Sequence, residues 1–385
     1  MVALLDAGDL FGRTSGRTLE ARLRARYLLS GMEQLGYHGV ALGDQDLQFG
    51  EPFLAERIDE HQSLFLSANL FAQVKGQRYT TASRTLELRV DGDSTSPPLR
   101  IGVVGLLDDE YAGVVRESTR LDGVALELRA AVPEVEAALA ALGEVDLVVL
   151  LSHASKSSAK ALAGKLSGVD VVLCAAAGSP PSEPERVGDA LVLTGGYMGK
   201  WLAQLTVGVG SGGGVASYEW QRVTLDASHA DEPQQKKNYD DYLADLKSRA
   251  DELAASVQQK VPDTGDKYVG AGRCGGCHAK QKAHWESTKH AHALESLAQR
   301  SQDFDLSCLP CHTAGFGFVG GFVLPDRTPE LGGVQCESCH GAAGAHLADP
   351  AVKPAGVPSE ACVGCHTKDR SPNFDQPTWL PKVQH

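Results

Sequence analysis

Short apolar runs alternate with amphipathic stretches over residues 1–225, and this alternation predicts a layered α/β domain. Residues 18–36 repeat their apolar positions with a period near 3.6, which predicts a helix. Ala- and Leu-rich stretches predict two more helices near 133–142 and 156–167, and Gly212–Gly214 fits the turn of a hairpin. The apolar runs predict strands at Val2–Leu5, Gly39–Leu42, Ser63–Ser67, Leu99–Leu106, Asp146–Leu151, Val169–Cys174, Ala190–Thr194 and Leu202–Val207.

A different pattern follows in residues 226–267, which we expect to connect two domains. Its first part is polar, and apolar residues then recur at spacings of three and four, which predicts one long amphipathic helix over 238–260. The pattern lasts barely three heptads, which favours packing against a domain over a coiled coil. Residues 268–385 have few periodic apolar runs, and we treat them as a second, mostly helical domain.

Four copies of Cys-x-x-Cys-His occur in this last segment and use eight of the nine cysteines. Each copy is the attachment signal of a c-type haem, in which both thiols bond to one porphyrin and the histidine binds the iron. A zinc ribbon needs paired Cys-x-x-Cys units but no histidine after each, so four histidines out of four favour haem. The predicted attachment residues are Cys274, Cys277, Cys308, Cys311, Cys336, Cys339, Cys362 and Cys365, with proximal ligands His278, His312, His340 and His366.

The same segment holds spare histidines that could supply the sixth ligand of each iron, namely His284, His290, His292, His346 and His385. His290 and His292 are two residues apart, so on a helix they point about 200° apart and cannot serve one iron. With so few residues per haem, the porphyrins themselves must supply most of the buried apolar surface.

In its motifs this segment resembles the tetrahaem cytochrome c family of the cytochrome c five-five-four type. The resemblance covers 268–385 and includes CGGCHAKQKAHWESTKHAHAL, CLPCHTAGFG, the box QCESCHG and the final LPKVQH. It implies electron transfer, and it implies that His290, His346 and His385 are distal ligands. We expect His292 to complete the fourth haem and His284 to be a surface residue.

The net charge and the length of the apolar runs exclude some classes of binding partner. The 385 residues carry a formal net charge of −13, which argues against nucleic acid and anionic membranes. No apolar run is long enough to span a bilayer. Haem is attached to c-type chains outside the cytoplasm, yet Met1 opens directly on a strand-like segment, so we expect an export signal upstream and a periplasmic or extracellular protein. The sequence leaves a homo-oligomer open.

The first domain resembles the metallophosphoesterases of the 5′-nucleotidase type. The resemblance rests on LLDAGDLFG, YHGVALGDQDLQFG, FLSANL, LVVLLSHAS and LVLTGGYMGKWLAQLTV. It implies an α/β layered sandwich and a metal site formed by Asp9, Asp44 and His153.

Several positions that hold metal ligands in that family carry other residues here, and this bears on whether the chain can hydrolyse phosphate esters. Gln45 stands where a histidine is usual, Ala176 and Gly178 stand where Gly-His-x-His is usual, and the Asp-x-His motif is absent from the sequence. Three ligands cannot hold the two metals that generate hydroxide in such enzymes. We therefore interpret the site as vestigial. Cys174, outside the haem motifs, is interpreted as a small buried hydrophobe, with a redox thiol as the alternative.

Three functions follow from these patterns. The leading interpretation is an exported electron carrier with four covalent haems and redox proteins as donor and acceptor, whose first domain serves docking or assembly. The second is an oxidoreductase with one five-coordinate catalytic haem, because an open iron can bind substrate. The third is a metal-dependent phosphoesterase with a redox appendage.

Overall fold

The computed structural model describes residues 2–12, 18–62, 64–72, 76–89, 97–122, 125–175, 180–262, 265–354, 356–358 and 360–385. The chain divides into two compact units, Met1–Tyr239 and Asp240–His385. We refer to them as the N-terminal unit and the C-terminal unit. No helix among the described residues is long and apolar enough to cross a membrane.

The N-terminal unit alternates strands and helices, as its apolar pattern predicts. Its strands are β1 (Leu5–Asp6), β2 (Gly39–Ala41), β3 (Phe65–Leu66), β4 (Leu70–Ala72), β5 (Gln77–Arg78), β6 (Ser83–Leu88), β7 (Leu99–Leu107), β8 (Leu126–Leu128), β9 (Leu147–His153), β10 (Val171–Cys174), β11 (Glu185–Val187), β12 (Ala190–Thr194), β13 (Trp201–Val209) and β14 (Val215–Thr224). Its helices are α1 (Leu19–Gln34), α2 (Asp44–Leu47), α3 (Glu51–Glu60), α4 (Ala112–Asp122), α5 (Ala131–Leu142) and α6 (Lys156–Ala163).

A six-stranded sheet in the order β11-β12-β10-β9-β7-β6 forms the centre of this unit. The four inner strands run parallel, and β11 and β6 pair antiparallel at the two edges. Strand β9 is buried along its whole length, as expected for a parallel strand covered on both faces.

Two further layers cover this sheet. Helices α5 and α6 pack on one face through buried residues that include Val135, Ala138 and Leu162. The parallel sheet β1-β2-β3 and the β13-β14 hairpin bring Ala41, Leu66 and Leu205 against the other face. Strands β3 and β7 approach so closely that a Cβ on Gly105 would lie 2.3 Å from the Leu66 carbonyl oxygen.

The structure corrects several boundaries. Strand β1 begins at Leu5 rather than Val2, and the short strands β4, β5, β8 and β11 were not predicted because each has only two or three residues. The expected helix over 238–260 begins earlier and is broken: α7 spans Pro233–Ser248, α8 spans Ala250–Ser256, and Arg249 between them has non-helical backbone angles. The predicted glycine turn joins β13 to β14, with Gly213 and Gly214 at positive φ.

Short helices joined by turns make up the C-terminal unit beyond α8. They are α9 (Ala271–Cys274), α10 (Ala279–Glu286), α11 (Ala293–Ala298), α12 (Leu309–His312), α13 (Cys336–His340), α14 (Gly344–Ala348) and α15 (Gln376–Trp379). Their buried apolar cluster is small and contains Leu297, Leu309, Ala314, Phe322 and Leu331. Side chains alone therefore give this unit a core far smaller than that of the N-terminal unit.

Candidate functional site

Three of the four predicted haem-attachment motifs lie at or next to helix ends in the C-terminal unit, and the fourth, residues 362–366, lies in turns. Helix α9 ends at the first cysteine of the first motif, α12 ends at His312, and the whole third motif forms α13. All eight motif cysteines are free thiols, which is the state that bonds to a porphyrin.

Three of the four predicted proximal histidines face a second imidazole. The ring centres of His278 and His346 are 6.0 Å apart, those of His290 and His366 6.2 Å, and those of His340 and His385 6.1 Å. Two metal–nitrogen bonds of about 2 Å, plus about 1 Å from each nitrogen to its ring centre, separate two rings on one metal by about 6 Å. Each pair thus has the spacing of two imidazoles on one iron.

In three of these imidazoles the Nδ1 atom has a hydrogen-bond partner. Nδ1 of His346 donates to the Val352 carbonyl oxygen (2.6 Å), and Nδ1 of His385 donates to that of Val383 (3.2 Å). Nδ1 of His366 lies 3.1 Å from Ser371 Oγ. A bond of this kind at Nδ1 fixes the tautomer and leaves Nε2 free to bind metal. Burial and the neighbouring His366 lower the pKa of His290, which favours the neutral form that binds iron.

His312, the proximal histidine of the second motif, differs from the other three. Its Nδ1 donates to the Ala293 carbonyl oxygen at 2.7 Å, which again leaves Nε2 free. Among the described histidines, none brings its ring into contact with that of His312. The second motif therefore has a prepared proximal ligand and, within the described part of the chain, no opposing imidazole.

His292 lies on the surface with both ring nitrogens engaged. Nδ1 is 2.9 Å from Glu295 Oε2, Nε2 is 3.2 Å from the Glu286 carbonyl oxygen, and 59% of the side chain is exposed. The hydrogen bond to Glu295 raises the pKa of His292. These contacts weigh against His292 as an iron ligand, a role that stays a prediction.

Side chains of the third motif tie it to the first. The buried carboxylate of Glu337 accepts hydrogen bonds from the backbone N–H groups of Val269 (3.0 Å), Gly270 (2.8 Å) and Ala343 (3.0 Å). Gln335 accepts another from Ala271 N at 2.6 Å. The box QCESCHG thus has a structural role that its sequence did not lead us to predict.

Cysteines of different motifs also meet. The thiol of Cys274 interacts electrostatically with that of Cys336, and the thiol of Cys311 with that of Cys365. The first motif is therefore beside the third, and the second beside the fourth.

In the N-terminal unit, the three predicted metal ligands converge. Nε2 of His153 is 3.0 Å from Asp44 Oδ1 and 3.4 Å from Asp9 Oδ1, while Nδ1 donates to the Ala7 carbonyl oxygen at 2.9 Å. His153 ends β9 and Asp44 begins α2. Asp9 lies at φ +61° after β1, so close to the chain at Gly43 that a Cβ there would lie 2.3 Å from Asp9 N.

Neighbouring residues complete this cluster. The Gln45 side chain donates to Asp44 Oδ2 at 2.6 Å, and its backbone N–H donates to Asp9 Oδ1 at 2.9 Å. Two contributors were not predicted: buried Asp46, which accepts from Gly43 N (2.8 Å), and Tyr111, whose ring centre is 5.0 Å from that of His153. Asp46 is recognisable afterwards as the last residue of the GDQD stretch.

Within this cluster the positive charge of His153 offsets the negative charges of the neighbouring carboxylates. Burial lowers the pKa of His153, but the hydrogen bond to Asp44 and the charges of Asp9 and Asp46 outweigh it and raise that pKa to about 9. Burial raises the pKa of Asp46 to about 7. An imidazolium between two carboxylates supplies positive charge where a metal would otherwise be needed.

The described residues do not fit the two-metal centre of the phosphoesterase fold. Among them one group of ligands converges, and its three members fit at most one cation. Ala176 and Gly178 lie outside the described residues. Cys174 is buried, donates to the Leu193 carbonyl oxygen and has its pKa raised by burial to about 11, which matches a small hydrophobe rather than a redox thiol.

Fold and motifs together define the class of this chain: a metallophosphoesterase-like α/β unit followed by a cytochrome-like unit. Residues 273–341 match the family model "Cytochrome c554 and c-prime". This match confirms the resemblance to the cytochrome family and supports covalently bound c-type haem. Cytochrome c-554 of Nitrosomonas europaea is 37% identical over 89 residues, covering 19% of this chain and 38% of that protein. The chain thus spans well under half of this curated relative.

Solved structures confirm the fold of the N-terminal unit. Sulfate thiohydrolase SoxB of Thermus thermophilus gives a TM-score of 0.53 at 21% identity, covering 64% of this chain and 43% of that one. The calcineurin-like phosphoesterase YfkN of Bacillus subtilis gives 0.51 at 16%, covering 64% and 85%. A 5′-nucleotidase precursor, also of Thermus thermophilus, gives 0.51 at 23%, covering 67% and 51%. At these identities the likeness shows the fold alone.

The Glu337 contacts predict a stability effect. In Glu337→Ala three backbone N–H groups lose their acceptor, and each buried donor left unpaired costs about 1–3 kcal/mol. We expect the guanidinium midpoint of the C-terminal unit, followed by Soret absorbance, to fall well below that of the wild type. Glu295→Ala is the matched control, because that carboxylate is 69% exposed. Equal midpoints in the two variants would contradict the role of Glu337.

The His153 cluster predicts a pH effect. Its folded-state pKa of about 9 lies above the ordinary 6.5, so its stabilisation is complete below pH 6.5 and disappears as pH rises through 9. Asp46, whose pKa is raised to about 7, disfavours the folded state once it ionises, and most of that effect is already present above pH 7. Between pH 7 and 10 the urea midpoint of the N-terminal unit should fall, and in His153→Gln it should not. Fluorescence of Trp201 and Trp220 monitors this unit, and the same slope in both proteins would refute the assignment.

Proposed function

We propose that this chain is an exported electron carrier with four covalent c-type haems, one on each Cys-x-x-Cys-His motif. The observation that carries the proposal is the pairing of three proximal histidines with His290, His346 and His385 at ring spacings of 6.0–6.2 Å. An iron between two imidazoles stays low-spin and exchanges one electron with little rearrangement, and it has no open position for substrate. Such ligation suits electron transfer.

The contacts between motifs support a route for the electron. The first motif adjoins the third through Cys274 and Cys336, and the second adjoins the fourth through Cys311 and Cys365. Cys339 of the third motif is close enough to Cys362 of the fourth for their charges to interact. We infer the haem order one, three, four, two. Donor and acceptor would then be redox proteins that dock near the two ends of this series.

A second function concerns the haem of the second motif. No histidine among the described residues has its ring in contact with that of His312. The ring nitrogens of His292 contact Glu295 and the Glu286 carbonyl oxygen instead, and His290 faces His366. This observation favours a five-coordinate iron, which can bind a small ligand or substrate. We propose this haem as the position of any redox catalysis by the chain.

For the N-terminal unit we propose a non-catalytic role in docking or assembly. The fold is that of phosphoesterases, but Gln45 donates a hydrogen bond at a position where that family has a ligand, and Asp9 and Asp44 are neutralised by His153. A hydrolase of this class relies on two metals to form hydroxide. We derive no hydrolytic step for this chain.

Ligand substitution tests the haem proposal. The intact mass should exceed that of the polypeptide by four haems. In His346→Ala the first haem should lose its sixth ligand and add one haem equivalent of high-spin ferric signal to that of the wild type in electron paramagnetic resonance, with all four haems still attached. His292→Ala is the matched control and should leave the spectrum unchanged. A high-spin signal that appears only in His292→Ala would instead assign His292 to the second haem.

Metal addition tests the role of the N-terminal unit. With Mn²⁺ or Zn²⁺ we expect no turnover of nucleotide or aryl phosphate esters above that of a His153→Ala variant, because the described ligands fit at most one cation. Metal-dependent hydrolysis that is lost in the variant would restore the phosphoesterase interpretation.

A further inference from the structure

His284 is the one spare histidine without a role so far, and it is not the surface residue that the sequence led us to expect. It lies on α10 and is half-buried, and its Nε2 is buried with no hydrogen-bond partner in the part of the chain that the structure describes. A buried polar atom without a partner is unusual and calls for a ligand or a bound group. His292 gives the contrast, since both of its nitrogens have partners.

The surroundings of His284 connect it to the third haem. Its ring centre is 6.4 Å from that of His385, and the ring of His385 in turn is 6.1 Å from that of His340. The spacing between His284 and His385 is thus close to the spacing between the two predicted ligands of the third iron. His385 therefore has two imidazole neighbours, His284 and His340.

Helix α10 is fixed beside the third motif. The indole Nε1 of Trp285, the residue after His284, donates to the carbonyl oxygen of Val334 at 2.7 Å, and Val334 lies two residues before Cys336. The Lys282 side chain also contacts Glu286 along the helix. His284 is therefore presented from an anchored helix.

His385, by comparison, is weakly held. The residue is exposed, and its Nδ1 bond to Val383 is long at 3.2 Å and reaches only two residues back. An exposed ligand held by one local contact leaves a metal more readily than one embedded in packed structure. The third iron thus has one weakly held imidazole and a second one nearby.

We propose that His284 is a second distal imidazole of the third haem and exchanges with His385. This inference rests on the proposed haem ligation. In the exchange the bond from His385 Nε2 to iron breaks and a bond from His284 Nε2 forms. Each nitrogen uses its own lone pair, each ring keeps its Nδ1 proton, and the iron keeps its oxidation state, so no further reactant is needed.

The exchange has a measurable consequence. When His385 is withdrawn, the third iron stays low-spin with two imidazoles, and its redox chemistry is maintained. Two conformers of nearly equal ligand strength also allow the segment Leu380–His385 to dock elsewhere without leaving an open iron. The distal side of the third haem then tolerates movement that the other two pairs do not.

The experiment compares haem-loaded full-length variants His284→Ala, His385→Ala and His284→Ala/His385→Ala. We expect both single variants to keep a low-spin third haem and the double variant to show one haem equivalent of high-spin iron. Counted as the increase over the wild type, whose five-coordinate second haem already contributes, that signal should be at least about tenfold larger than in either single variant, which corresponds to occupancy of the second ligand above roughly nine-tenths. Added imidazole should return the double variant to low spin, which shows that its pocket is intact.

His292→Ala/His385→Ala is the matched control and should behave like His385→Ala alone. A full high-spin signal in His385→Ala would overturn the exchange, and so would one in His284→Ala, because His284 would then be the sole distal ligand. An unchanged spectrum in the double variant would exclude both residues. Fewer than four haems in the mass of the wild type is a different failure, since it contradicts the proposed haem count and not the role of His284.

Discussion

Two imidazoles that face each other at the spacing of one iron are the interaction on which the C-terminal unit depends. The buried apolar cluster of this unit is small, and its helices are mostly one or two turns long. Helices of that length do not persist without tertiary contacts. His278 with His346, and His290 with His366, join segments that are far apart in the chain. A metal shared as proposed would close such loops as a cross-link does, and the loss of chain entropy grows only slowly with loop length.

Hydrogen bonds around the motifs position the segments that carry the paired histidines. Glu337 and Gln335 hold the first and third motifs together through backbone N–H groups, and Trp285 fixes α10 against the chain that leads into the third motif. Buried carboxylate and amide acceptors of this kind specify one arrangement, since each would be costly without its donors. The side chains around the motifs therefore decide which histidines can meet, and the motifs decide which thiols hold the porphyrin.

Much of the fold and of the haem motifs was accessible from the sequence, and the remainder was not, for physical reasons. Spacing alone predicts attachment cysteines and proximal histidines, because the chemistry is confined to five consecutive residues. The apolar runs predicted the strands β7, β9, β10 and β12 but not their order in the sheet, and Asp9, Asp44 and His153 were predicted to meet. The burial of His284 depends on contacts between α10 and the third motif, which no local pattern encodes. The break at Arg249 likewise interrupts an apolar pattern that is continuous in the sequence.

The two nitrogens of histidine explain why this residue type has different roles in the two units. An imidazole can bind a metal when one nitrogen has an acceptor and the other has none, because the first bond fixes the proton and the lone pair remains on the opposite side. His312 and His346 satisfy this condition in the C-terminal unit. His153 differs, because its second nitrogen faces the carboxylates of Asp44 at 3.0 Å and Asp9 at 3.4 Å. The same residue type is thus proposed to bind iron in one unit and is paired with two carboxylates in the other. What separates the two arrangements is the group that the ring faces: the imidazole of His278 for His346, and a carboxylate for His153.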